Sequence, residues 1–77
     1  MNLNSHFGQV VKHLREREGW SQERLAENAD LNRSYIGEVE RGIATPSLIT
    51  VAKLAGAFGV PPSALLARCE QAASHRS

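Results

Sequence analysis

The stretch QERLAENADLNRSYIGEVER, Gln22 to Arg41, carries two helical patterns separated by a short break. In its first half Leu25 and Ala29 recur one turn apart and mark an inward face, while Ala26 is small enough for a second helix to approach. Ser21 precedes this segment and can accept a backbone N–H at its start, and Glu23 in the first turn suits the helix dipole. A helix over about Gln22 to Asn28 is expected. Asp30, Leu31 and Asn32 form the break: Asp and Asn tolerate turn conformations, Leu31 anchors the turn, and Asn32 is a good helix cap. In the second half Ile36 and Val39 point inward at i, i+3 spacing, so a helix over about Asn32 to Arg41 presents Arg33, Ser34, Gly37, Glu38 and Arg41 outward. Two short helices crossing closely at a tight turn form a helix-turn-helix.

Outward from this segment the same signals repeat. Phe7, Val10, Val11 and Leu14 follow the i, i+3, i+4, i+7 pattern of one helix face, and Gly19 can end that helix in a left-handed conformation. After Gly42, the run Thr45, Pro46, Ser47 reads as cap, first helical residue and helix start, and the helix that follows is expected to bury Leu48, Val51, Leu54, Ala55 and Phe58. Gly59 ends it. Val60, Pro61 and Pro62 make a stiff corner before a fifth helix beginning around Ala64, Leu65, Leu66 and Ala67, with residues 73–77 expected as a disordered tail. With 77 residues there is room for one domain, and with only 5% aromatic residues its core must be aliphatic. A compact all-α, five-helix single domain is expected.

Several classes of function are disfavoured. Cys69 has no partner for a disulfide, and His6 and His13 lie about 10 Å apart along one helix, too far to share a metal ion. These histidines, with His75, default to the surface. No glycine-rich phosphate loop suggests a cofactor, and no nucleophile stands beside a base, so the chain does not read as an enzyme. Neither a signal peptide nor a membrane-spanning run is visible, so a cytoplasmic location is expected. The net charge of +1 is low for a nucleic-acid binder, and between Trp20 and Pro46 three arginines face five acids. Any DNA binding must therefore rest on geometry and on the pairing of two subunits.

The longer string GWSQERLAENADLNRSYIGEVERGIATPSL, Gly19 to Leu48, resembles the Xre family, the helix-turn-helix group that includes the phage Cro and cI repressors. The resemblance spans Phe7 to Arg68, and it is nearest in appearance to the controller proteins of restriction-modification systems. It implies a lambda-repressor-like fold and a regulator of transcription, either repressor or activator, that binds a palindromic operator in double-stranded DNA as a homodimer. Control of a restriction-modification operon is the implied role, and an antitoxin-type autoregulator is the alternative. The turn position held by glycine in the family is Asp30 here, which tolerates a left-handed conformation at some strain.

Site residues follow from the motif and the resemblance together. Arg33 leaves the N-terminal end of the recognition helix, and its fork of donors matches guanine O6 and N7, so it is expected to read bases with help from Ser34 and Glu38. Gln22, Ser21, Asn32, Tyr35, Arg41 and Thr45 are expected to hold phosphates. Arg15 and Glu40 match a structural ion pair between the first and third helices. Glu23 and Glu27 fall where a phage repressor carries acids that touch RNA polymerase. Trp20 is expected to pack across the ends of the first two helices. Leu65 and Leu66 are adjacent, and one core face cannot bury both, so a dimer patch of Val60, Ala64, Leu65, Leu66 and Arg68 is expected.

Overall fold

The computed structural model describes residues 2–74, which form α1 (Leu3–Arg17), α2 (Gln22–Ala29), α3 (Arg33–Glu40), α4 (Leu48–Phe58) and α5 (Pro62–Ser74). The starts of α1 to α4 are each fixed by a side chain that accepts an otherwise unpaired backbone N–H. Asn2 caps α1 by accepting from the Ser5 N–H, Ser21 caps α2 through the Arg24 N–H, and Asn32 caps α3 through the Ser34 N–H at 2.8 Å. α2 ends at Asp30, whose φ of 56° and ψ of 51° place it in the left-handed region, the one non-glycine residue there among those described.

Two local expectations are corrected. α4 is capped by Ser47, whose hydroxyl accepts from the Thr50 N–H, so Thr45 and Pro46 belong to the incoming loop. Thr45 is engaged elsewhere: its Oγ1 accepts from Asn4 Nδ2 at 2.8 Å, tying that loop to the start of α1. α5 continues to Ser74, so residues 73 and 74 are helical, and residues 75–77 of the expected tail, His75 among them, lie outside the described residues.

The core is aliphatic. Val11, Leu25, Ile36, Val39, Leu54 and Leu65 are fully buried, one or more from every helix, with Phe7, Leu14 and Val51 beside them. α1 packs against α3 and α5, α2 packs against α3 and α4, and the chain bends by 97° between α4 and α5 at the Gly59–Pro62 corner. The α1–α3 crossing is close enough that a Cβ at Gly8 would run into the carbonyls of Val39 and Glu40, and one at Gly42 would run into Ser5.

That crossing explains a further correction. His6, expected on the surface, is buried, because the end of α3 and the turn after it lie across the first turns of α1. Leu48 departs in the opposite sense. It is 83% exposed rather than core, since it begins α4 at the rim where no other helix covers it.

Candidate nucleic-acid interface

α3 is buried along Ile36 and Val39 and leaves Arg33, Ser34, Glu38 and Arg41 exposed on the opposite face. Together with Gln22 at the start of α2, these residues line a shallow polar recess of about 250 Å³ whose floor is Gly37. Five residues singled out from sequence, Gln22, Arg33, Ser34, Glu38 and Arg41, are thus gathered on one surface. Tyr35 and Thr45 are not part of it. The Tyr35 hydroxyl lies 3.3 Å from Thr50 Oγ1, which lies 3.1 Å from Ser47 Oγ, so Tyr35 is tied to the start of α4 by a chain of hydroxyls.

The orientation of α3 is held by a polar cluster at its C-terminal end. Arg15 on α1 donates from Nε to Glu40 Oε2 at 2.7 Å and from Nη2 to Glu40 Oε1 at 3.1 Å, the two-pronged geometry that makes arginine–carboxylate pairs strong. Its Nη1 donates to the Trp20 carbonyl at 2.8 Å. The hydrogen bonds that Arg15 donates to Glu40 hold its guanidinium above its ordinary pKa, outweighing the opposing effect of burial, and the charge of Glu40 adds to them. Gln22 Nε2 donates to Glu40 Oε1 at 3.0 Å, so one carboxylate ties α1, α2 and α3 together. This Gln22–Glu40 bond was not legible from the sequence, where the two residues stand on different helices with no shared pattern.

Ser21 and Asn32 use their side-chain oxygens as caps, a use that does not engage the Ser21 hydroxyl hydrogen or the Asn32 amide hydrogens. Glu23 and Glu27 are exposed on the outer side of α2. Trp20 packs, but its partner is Phe58 at the end of α4, with the rings stacked at 5.8 Å between centroids. Of the expected dimer patch, Leu65 is fully buried in the core and is withdrawn from it, because α5 turns that side chain inward. Leu66 is 44% exposed, Arg68 is exposed, and Val60 and Ala64 are half-buried.

A family model described as helix-turn-helix matches residues 11–65 of this framework, which include α2, α3 and the turn between them. The chain belongs to the Xre, or Cro/cI-type, helix-turn-helix family of DNA-binding regulators. It is 41% identical over 76 residues to control protein C.BamHI of Bacillus amyloliquefaciens, covering 91% of this chain and 94% of that protein. It is 42% identical over 59 residues to the immunity repressor of Bacillus phage phi105, covering 77% of this chain and 41% of that protein. The crystal structure of the restriction-modification controller C.AhdI from Aeromonas hydrophila superposes with a TM-score of 0.77 at 45% identity, covering 80% of this chain and 94% of that one. In helix-turn-helix proteins the second helix of the motif enters the major groove, and α3 stands at that place in this chain.

Proposed function

We propose that the chain is a homodimeric transcription regulator that sets α3 of each subunit into successive major grooves of a palindromic operator, about 34–36 Å apart. The observation that carries this reading is the outer face of α3, where Arg33, Ser34, Glu38 and Arg41 are exposed together on a helix braced by Arg15 and Glu40. Arg33 reads bases, with Ser34 and Glu38 beside it. Ser21, Asn32, Tyr35, Arg41, Thr45 and the free backbone N–H groups at the start of α2, beginning with Gln22, hold phosphates.

The dimer forms through α4 and α5, where Leu66 and Arg68 stand exposed beside half-buried Val60 and Ala64, and where exposed Leu48 lines the same apolar groove as Leu66. The names of the relatives, a control protein and a restriction-modification controller, support control of a restriction-modification operon as the biological role. Glu23 and Glu27, exposed together on α2, offer RNA polymerase an acidic contact and make the protein an activator as well as a repressor. The DNA partner places it in the cytoplasm.

Selection of bound duplexes from a random-sequence library, paired with sedimentation of the free protein, tests this. The expected outcome is a symmetric consensus with half-sites about one helical turn apart and a dimer at micromolar concentration. A strictly monomeric protein at high micromolar concentration, or selected sites with no symmetry, would overturn the dimeric reading.

A further inference from the structure

Gly37 sits in the interior of α3, where glycine weakens a helix relative to alanine, and the fold offers no internal reason for it. Its φ is not positive. A Cβ there would meet nothing nearer than the Gln22 amide, at 3.8 Å from Oε1 and 4.0 Å from Nε2, which is ordinary contact. Gly8 and Gly42 are different, since a side chain at either would collide with backbone. The room left by Gly37 therefore opens outward, as the floor of the polar recess on the recognition face.

The wall of that recess has a fixed polarity. A carboxylate can only accept, so the Gln22 side chain must turn its NH2 group toward Glu40, to which it donates at 3.0 Å. Its Oε1 is left over Gly37, and no hydrogen bond among the described residues engages that oxygen. Glu38, exposed on the same rim, is a second acceptor. In the major groove the base-edge donors are the exocyclic amines, N4 of cytosine and N6 of adenine, whereas guanine O6 and thymine O4 are acceptors and would be repelled.

We infer that the recess over Gly37 is a specificity subsite for an exocyclic amine of cytosine or adenine, with Gln22 Oε1 as acceptor, Glu40 as the residue that positions the amide, and Gly37 as the gap that admits the base edge. The inference rests on α3 being the base-reading helix, and it turns the side chain of Gln22 from a phosphate holder into a base reader.

The test uses the full chain and the operator obtained by selection from random duplexes. At each cytosine or adenine of a half-site the amine alone is deleted, with pyrimidin-2-one for cytosine and purine for adenine, which also tells the two bases apart. Wild type is expected to lose roughly tenfold in affinity at one symmetric pair of positions. Gln22→Ala should bind the parent operator with a similar loss and no longer distinguish parent from amine-deleted duplex, while Arg33→Ala still distinguishes them. Gly37→Ala, which has room in the free protein, should keep or raise the thermal midpoint yet lose the same discrimination. Glu40→Gln frees the amide to turn over and should relax the base preference at this position toward guanine or thymine in a repeated selection. If Gln22→Ala and Gly37→Ala both keep the wild-type rank order of operators while Arg33→Ala changes it, the subsite is refuted and base reading by α3 stands. If none of the three changes the rank order, both readings fall.

Discussion

Replacing Arg15 by Met removes two of the three hydrogen bonds that the Glu40 carboxylate accepts and leaves that group, with its side chain only 4% exposed, facing Gln22 alone. Stranding a buried charge in this way costs about 3–5 kcal/mol. At about 0.05–0.15 kcal/mol per residue, a 77-residue domain has about 4–12 kcal/mol in total, so this loss is a large share of it. Glu40→Leu should cost less, about 2–3 kcal/mol, because the guanidinium it strands is 12% exposed and keeps its bond to the Trp20 carbonyl. The double variant removes both charges and should sit within about 2 kcal/mol of wild type. The coupling between the two sites is then at least about 3 kcal/mol. Urea unfolding followed by Trp20 emission reports it, since that ring is stacked on Phe58 in the folded state. Additive single effects, with coupling below about 0.5 kcal/mol, would refute the bracing role of the pair, as would Glu40→Leu proving costlier than Arg15→Met.

Leu65→Ala should destabilise the folded chain by about 2–5 kcal/mol, whereas Leu66→Ala should leave its unfolding within about 0.5 kcal/mol of wild type and instead shift self-association to higher concentration by sedimentation. Burial pushes the Cys69 thiol up, so the folded chain keeps a proton that the unfolded chain releases; the associated stability is intact below the ordinary thiol range and is lost as pH rises toward the folded value. Cys69→Ala should flatten that alkaline decline in the urea midpoint, and an unchanged slope would sink the assignment. Asp30→Gly relieves left-handed backbone strain while giving up only a 3.8 Å approach to Lys53 by a solvent-exposed carboxylate, so it should raise stability by about 0.5–1 kcal/mol in thermal unfolding, and a fall would count against it.

What the sequence disclosed is what local chemistry decides. Ser21 and Asn32 announce the starts of α2 and α3 because a side-chain oxygen two or three residues before an unpaired N–H has one geometry open to it. Ile36 and Val39 set the inward face of α3, and the outward set of Arg33, Ser34, Glu38 and Arg41 follows by subtraction. The readings that failed depend on where one helix crosses another. Thr45-Pro46 looks like a cap and first turn, but Ser47 takes the cap while Thr45 is held by Asn4, far away in sequence. His6 carries a polar ring on the edge of an apolar face, and only the close α1–α3 approach permitted by Gly8 and Gly42 buries it. The choice between Leu65 and Leu66 turns on a rotation of α5 that the corner at Gly59–Pro62 sets and periodicity does not. The same limit hid the contact between Gln22 and Glu40, which turns the NH2 group of Gln22 toward that carboxylate.

The most direct test of base reading by α3 is a titration of wild type and Arg33→Ala against the selected operator and its single base-pair substitutions, at several salt concentrations. Arg33→Ala is expected to lose discrimination, worth about 1–3 kcal/mol per half-site, at one symmetric pair of positions, with the salt dependence nearly unchanged. The contrary result would be uniform weakening on every duplex, with the rank order kept and the salt slope reduced by about 1 per subunit, which would make Arg33 a phosphate contact and leave the exposed face of α3 without a base reader at its N-terminal end.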